Sequence, residues 1–160
     1  MEGAKELDAA KEVLTEYLTI NGLRKTPERY AILETLYKVK KHVSADELHD
    51  IMESSFKVSR GTVYSTLETL YNAHLAIRHQ FDTATVYEKI PDKPHYHMIC
   101  TECGTVSEFY NVTLKNALST IKIKGFSISD HKLYVYGTCT KCKQRLGRLK
   151  KKLNKQDNKL

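Results

Sequence analysis

No stretch of this 160-residue chain approaches the ~20 consecutive apolar residues that a membrane-spanning helix requires. The segment MEGAKELDAAKEVLTEYL mixes acids and bases through a helical pattern unlike a secretory leader, so the expectation is a cytoplasmic protein with no membrane partner. Internal repeats and low-complexity tracts are absent. Proline is scarce, at three residues. Pro27 falls where a helix would begin, and Pro91 and Pro94 bracket a hinge in IPDKP. There are only four cysteines, and none lies outside two C-x-x-C pairs, Cys100/Cys103 and Cys139/Cys142.

The N-terminal half also lacks the basic surplus expected of a nucleic-acid binder. Residues 1–90 carry 12 Lys+Arg against 14 Asp+Glu, whereas residues 91–160 carry 14 against 5. The formal charge of +7 therefore resides in the second half and its tail, LKKKLNKQDNKL. Such a run is expected to be a solvated, disordered terminus over 149–160, with non-specific DNA contact as the other reading. Net charge alone would place a DNA-binding surface in the wrong half.

In a cytosol that keeps thiols reduced, two C-x-x-C pairs fit one tetrahedral Zn²⁺ better than disulfides, a redox pair or chance core cysteines. Gly104 follows the first pair, where a tight knuckle turns the backbone toward the sulfurs. Four thiolates fill zinc's coordination and leave no position for water or substrate, so Cys100, Cys103, Cys139 and Cys142 predict a structural site.

Two histidines stand close by in KPHYHMICTECG. The alternation from His95 to Glu102 predicts a strand, which turns His95 and His97 to one face. Cys100 then lies on the other face, roughly 10 Å along the chain. If these histidines bind metal, it is a second metal; otherwise they are surface or hydrogen-bonded residues. Glu108 lies in TVSEF, a stretch expected to pair with this strand, and Glu88 stands upstream in TVYEKI. Imidazoles and carboxylates suit Fe²⁺, Mn²⁺, Co²⁺ or Zn²⁺ and bind more reversibly than four thiolates.

Upstream, the pattern is helical. Thr26 and Pro27 open a helix whose core face is Ile32, Leu33 and Leu36. Ser44 and Glu47 form a capping box before a second helix, and Ser59 caps a third, RGTVYSTLETLYN. There Val63, Leu67 and Leu70 face inward, leaving Arg60, Thr62, Tyr64, Ser65 and Glu68 toward solvent. A hairpin follows in AIRHQFDTATVYEKI, with its turn near Asp82–Ala84. Short helices followed by such a hairpin predict a winged helix with a recognition helix for the major groove; a plain three-helix bundle is the alternative. Beyond the hinge come two short strands, a helix from about Thr113 to Lys124, and a strand, FSISDHKLYVYGTC.

GLRKTPERYAILETL, HVSADELH, TVYSTLETL, HYHMICTECGTVSEF and HKLYVYGTC together resemble the ferric uptake regulator family of metal-dependent bacterial repressors. The resemblance runs through nearly the whole chain. It implies an α+β fold: an N-terminal winged helix-turn-helix domain (1–90), a hinge (91–94) and a small α/β dimerisation and metal-binding domain (95–148). It also implies structural zinc on the four cysteines and a regulatory metal on His42, Glu88, His95, His97 and Glu108. His49, His74 and His79 match no ligand position and are expected at the surface. Some relatives have a further metal site, whose positions here are Pro94, Tyr96 and Lys115 with only His131 left over; that site is expected to be absent.

The function implied is a homodimeric, non-enzymatic repressor that binds a palindromic operator in double-stranded DNA when loaded with Fe²⁺, for which Mn²⁺ or Zn²⁺ can substitute. It takes no small organic substrate. DNA contacts are expected from Lys25, Arg29, Arg60, Thr62, Tyr64 and Ser65. Zinc-sensing members bring a cysteine into the regulatory site, and all four here are used. Peroxide-sensing members share the HYH but carry aspartate where this chain has Glu88 and Glu108, so the pattern looks like the iron-sensing branch that controls iron-uptake genes. Peroxide sensing, by iron-catalysed oxidation of a ligand histidine, is the alternative. A metal-dependent hydrolase or a thiol-redox module would be a different class altogether.

Overall fold

The computed structural model describes residues 2–39, 41–81, 84–91, 95–128 and 131–157. The chain divides into two compact units, Met1–Pro91 and Asp92–Leu160.

The first unit contains four helices, α1 (Glu2–Ile20), α2 (Pro27–Lys38), α3 (Ala45–Glu53) and α4 (Arg60–Asn72), followed by strands β1 (Ala76–Phe81) and β2 (Ala84–Lys89). Its core is built from the apolar faces of these helices. Leu14 and Leu18 of α1, Ile32, Leu33 and Leu36 of α2, Leu48 and Met52 of α3, and Val63, Leu67 and Leu70 of α4 are all buried in one cluster. Helix α3 begins with the capping box the sequence predicts: Ser44 accepts from the Glu47 N–H, and the Glu47 carboxylate accepts from the Ser44 N–H. Ser59 caps α4 through the Thr62 N–H. Thr26 differs. It holds the N-cap position before Pro27 but makes no side-chain cap bond, because its hydroxyl is engaged by Glu28.

β1 and β2 form an antiparallel hairpin that pairs Ala76 with Lys89 and Phe81 with Ala84. Residues 82 and 83, in the turn expected near Asp82–Ala84, lie outside the described residues. A third segment joins this wing. Val43 and Tyr87 exchange both backbone hydrogen bonds, at 2.9 and 2.7 Å, immediately before α3 begins.

The second unit contains β3 (Tyr96–Cys100), β4 (Val106–Phe109), α5 (Val112–Ser119), β5 (Tyr134–Gly137) and α6 (Thr140–Asp157). The sheet order is β4-β3-β5, with β4 antiparallel and β5 parallel to the central strand. These elements are shorter than the sequence suggests. Helix α5 stops at Ser119 because IKIKG follows, where Gly125 adopts φ 76° and an Ile123–Phe126 bridge forms. β5 pairs over only four residues, since β3 ends where the Cys100 knuckle begins. The stretch 149–160, expected as a disordered tail, is helical as far as Asp157, as the continuation of α6; 158–160 lie outside the described residues. Helix-favouring Lys, Leu and Gln make up most of this segment, and no proline interrupts it.

Candidate functional site

The cysteines converge within the second unit. Cys100 ends β3, whose parallel register sets it beside Gly137 of β5, so the chain emerging from β5 brings Cys139 alongside. Cys103 lies in the knuckle that Gly104 closes, with φ 70° and its N–H donated to the Cys100 carbonyl at 2.8 Å. Cys142 is one turn into α6 and buried. The four Sγ atoms lie within 4.8 Å of one another, and Cys103 Sγ to Cys139 Sγ is 3.9 Å. Tetrahedral Zn–S bonds of ~2.3 Å set sulfurs about 3.8 Å apart, so the donor set fits zinc, and 3.9 Å is too long for a disulfide.

The surroundings prepare this set unevenly. The Cys139 backbone N–H, donated to Cys100 Sγ at 3.3 Å, is the first of several contacts that hold the Cys100 thiol down at about 6. The Thr105 hydroxyl lowers that of Cys103. Burial pushes Cys142 up to about 12.

The expected regulatory ligands form one group in each unit. In the first, the Val43–Tyr87 pairing sets His42 opposite Glu88 across an antiparallel bridge. His42 Nε2 lies 3.4 Å from Glu88 Oε2, with both side chains largely buried. In the second, His97 and Glu108 are direct cross-strand partners on β3 and β4, and the His95 and His97 rings meet edge to face at 4.9 Å. His97 is buried while Glu108 is exposed. Each group offers imidazole nitrogen and carboxylate oxygen, the donor chemistry of a divalent first-row metal.

One histidine departs from expectation. His79, expected at the surface, is 2% exposed, because Phe81 of the wing and His42 from the segment ahead of α3 pack against its ring. Its Nε2 bonds Glu88 Oε1 at 2.8 Å. His49 is half-buried, with Nε2 3.0 Å from the Val58 carbonyl, while His74 is exposed. Tyr96, at a position of the further site expected to be absent, packs its ring against Phe109 and His131.

The expected DNA-contacting residues are more constrained than the sequence suggests. Arg60 is paired with Asp46 and Asp50 of α3, and the Tyr64 hydroxyl donates to Asp46 Oδ2 at 3.1 Å. Asp46 thus holds both long side chains at the start of α4, and its carboxyl lies below the usual range because of Arg60 first and Tyr64 second. Sequence reasoning missed this residue; Asp46 to Arg60 is a contact between helices with no local signature. Thr62 and Ser65 are turned onto their own helix, through Ser59 Oγ at 2.8 Å and the Thr62 carbonyl at 3.2 Å. Arg29 donates to Thr69 Oγ1 at 3.3 Å, and Lys25 is exposed ahead of α2.

Asp46→Asn is expected to free Arg60 for phosphate and remove one repulsive charge. Non-specific duplex affinity should rise, with the slope of log K against log salt steeper by about one unit. An unchanged slope in a salt titration would mean that Arg60 does not reach phosphate when released.

Residues 20–136 match the model of the ferric uptake regulator family. The chain is 33% identical over 144 residues to the peroxide operon regulator of Bacillus subtilis, covering 89% of this chain and 97% of that protein. It is 34% identical over 126 residues to the ferric uptake regulation protein of Neisseria gonorrhoeae, covering 76% and 88%. Among solved structures, the ferric uptake regulator of Pseudomonas aeruginosa with manganese superposes at a TM-score of 0.67, with 29% identity over 79% of this chain and 97% of that one. Among the described residues, no helix is long and apolar enough to cross a membrane.

Proposed function

Because the chain belongs to the ferric uptake regulator family of metal-responsive regulators, we propose that it is a homodimeric repressor whose operator binding is switched on by Fe²⁺ held by His42, Glu88, His95, His97 and Glu108. The carrying observation is that each unit presents an incomplete nitrogen–oxygen donor set: His42 with Glu88 in one, and His95, His97 and Glu108 in the other. A divalent cation supplies a single point of charge that both sets can bind. Donors just ahead of α3 and on β2 would then belong to the same coordination shell as donors at and before the start of β3 and on β4, and the angle between units would be fixed. In a dimer, this sets the two α4 helices about one helical turn apart, ~34 Å, to match a palindrome. Tens-fold tighter operator binding requires about 2–3 kcal/mol of coupling between the two sites.

The cysteine cluster has a different role: its four thiolates leave no open position, and it holds β3, β5 and α6 together. Dimerisation is supported by the apolar surface of the second unit. Phe126 is 65% exposed, and Tyr110, Val112, Ile123 and Tyr136 are all more than half exposed in the single chain. Tyr64 is proposed to touch bases, with Thr62 and Ser65 at its sides and Lys25 and Arg29 toward the backbone.

Glutamate at both 88 and 108 supports iron rather than peroxide as the signal. The Bacillus subtilis relative, a peroxide operon regulator matched over 89% of this chain, supports the second reading. Duplexes selected from a random pool by the Fe²⁺-loaded protein under anaerobic conditions separate the two. Binding is expected to survive a brief low dose of hydrogen peroxide, as it does with Mn²⁺. Binding lost only with Fe²⁺, together with oxygen added to His42, His95 or His97 by mass spectrometry, would make the protein a peroxide sensor.

A further inference from the structure

His79 plays no part in the ligand set above, yet it is the most deeply buried histidine of the first unit. A ring withdrawn from water must find a partner for its polar atoms, and here the partner is a proposed ligand. His79 Nε2 lies 2.8 Å from Glu88 Oε1, while Oε2 of the same carboxylate faces His42 Nε2 at 3.4 Å. The two carboxylate oxygens are therefore divided between two imidazoles.

The wing's register produces this division. Glu88 pairs with Ile77, and His79 stands two residues further along β1, on the same face and diagonal to Glu88. The ring cannot readily swing away. Phe81 stacks on it at 5.8 Å with planes 4° apart, and His42 meets it edge to face at 5.1 Å. Such a ring, donating Nε2–H, fixes which carboxylate oxygen is engaged and which is presented.

We propose that His79 is the positioning residue for Glu88: it holds Oε1 so that Oε2 is aimed beside His42 Nε2 at the regulatory metal. The inference rests on Glu88 being a ligand of that metal. Hydrogen-bonded partners of ligating carboxylates reduce the orientational freedom the ligand must lose on binding, and removing them typically weakens metal affinity by about 10–100-fold. A ligand role for His79 itself is disfavoured, because its Nε2 is directed at a carboxylate oxygen within hydrogen-bonding distance.

The test uses full-length, zinc-containing protein titrated with Mn²⁺, free Mn²⁺ being read by electron paramagnetic resonance. His79→Leu is expected to weaken Mn²⁺ binding by about 10–100-fold, whereas His79→Gln, which keeps an N–H donor at similar reach, should stay within about threefold of wild type. Zinc content and operator binding at saturating Mn²⁺ should be unchanged in both, which a merely structural role would not give. Glu88→Ala is the reference. If it binds Mn²⁺ like wild type, the metal reading fails and the positioning role goes with it. If it is weak while His79→Leu matches wild type, the positioning role alone is overturned, as it is if His79→Gln is as weak as His79→Leu. Should His79→Leu misfold, nitrogen-15 spectra of the wild-type ring decide. The Nε2–H of His79 is expected to persist when Zn²⁺ is added beyond one equivalent, and its replacement by a metal-bound nitrogen would overturn the proposal.

Discussion

Cys142→Ser is expected to release the zinc and leave residues 92–160 without a stable fold. Among the described residues of that unit, the buried ones are Tyr96, His97, Ile99, Cys100 and Cys142, and two of these are cysteines of the cluster. A core this thin cannot offset the entropy of ordering the unit, which is why small units depend on metal or disulfide staples. Structural zinc contributes on the order of 10–16 kcal/mol in comparable small folds, as much as the entire stability of a typical domain, about 5–15 kcal/mol. Serine leaves three thiolates around a site that closes at four. Zinc per chain, measured by mass spectrometry, should fall from one to near zero. Calorimetry should show the second unit's transition lost while that of the Leu14–Leu70 core remains. A variant that loses zinc but keeps both transitions would mean that the exposed apolar face, once paired in a dimer, holds the unit by itself.

His97→Ala should leave zinc in place and abolish the response to regulatory metal. The ring sits at the centre of the sheet, opposite Glu108 on one side and stacked on Tyr134 at 5.8 Å on the other, three residues before Cys100. Removing one imidazole from a mixed nitrogen–oxygen shell is expected to weaken Mn²⁺ or Fe²⁺ binding by more than 100-fold, above the 10–100-fold typical of losing an outer-shell partner. The proposed tens-fold difference in operator affinity between metal-loaded and metal-free protein should then collapse to about unity at metal concentrations that saturate wild type. Equilibrium DNA titrations with and without Mn²⁺, alongside zinc content, check both halves of this expectation. Undiminished metal-dependent binding would remove His97 from the ligand set and favour a regulatory site elsewhere.

What the sequence disclosed depended on distance along the chain. The capping box at Ser44 and Glu47, the apolar face of α4 and the two C-x-x-C pairs are local patterns with fixed spacings, and the structure has them. His42 carries no such pattern. Only the pairing of Val43 with Tyr87 sets it beside Glu88, and that pairing is between segments far apart in the chain. The same holds for His79, whose burial depends on Phe81 and on His42 arriving from another segment, and for Asp46, whose hold on Arg60 and Tyr64 crosses from α3 to α4. Charge patterning misled at the C-terminus, where LKKKLNKQD looks like a solvated tail but is composed of residues that favour a helix as readily as a coil.

The Val43–Tyr87 bridge has a further consequence. It ties the wing to the segment that leads into α3, so His42, Glu88 and the side chains gathered around Asp46 belong to one body. Affinity for a half-site is then a property of that body alone, the same with or without metal. In the proposed dimer, what iron changes is the effective concentration of the second body over the second half-site, once the first is engaged. Repression would thus be graded by tethering geometry rather than by any remodelling of the surface that touches the bases.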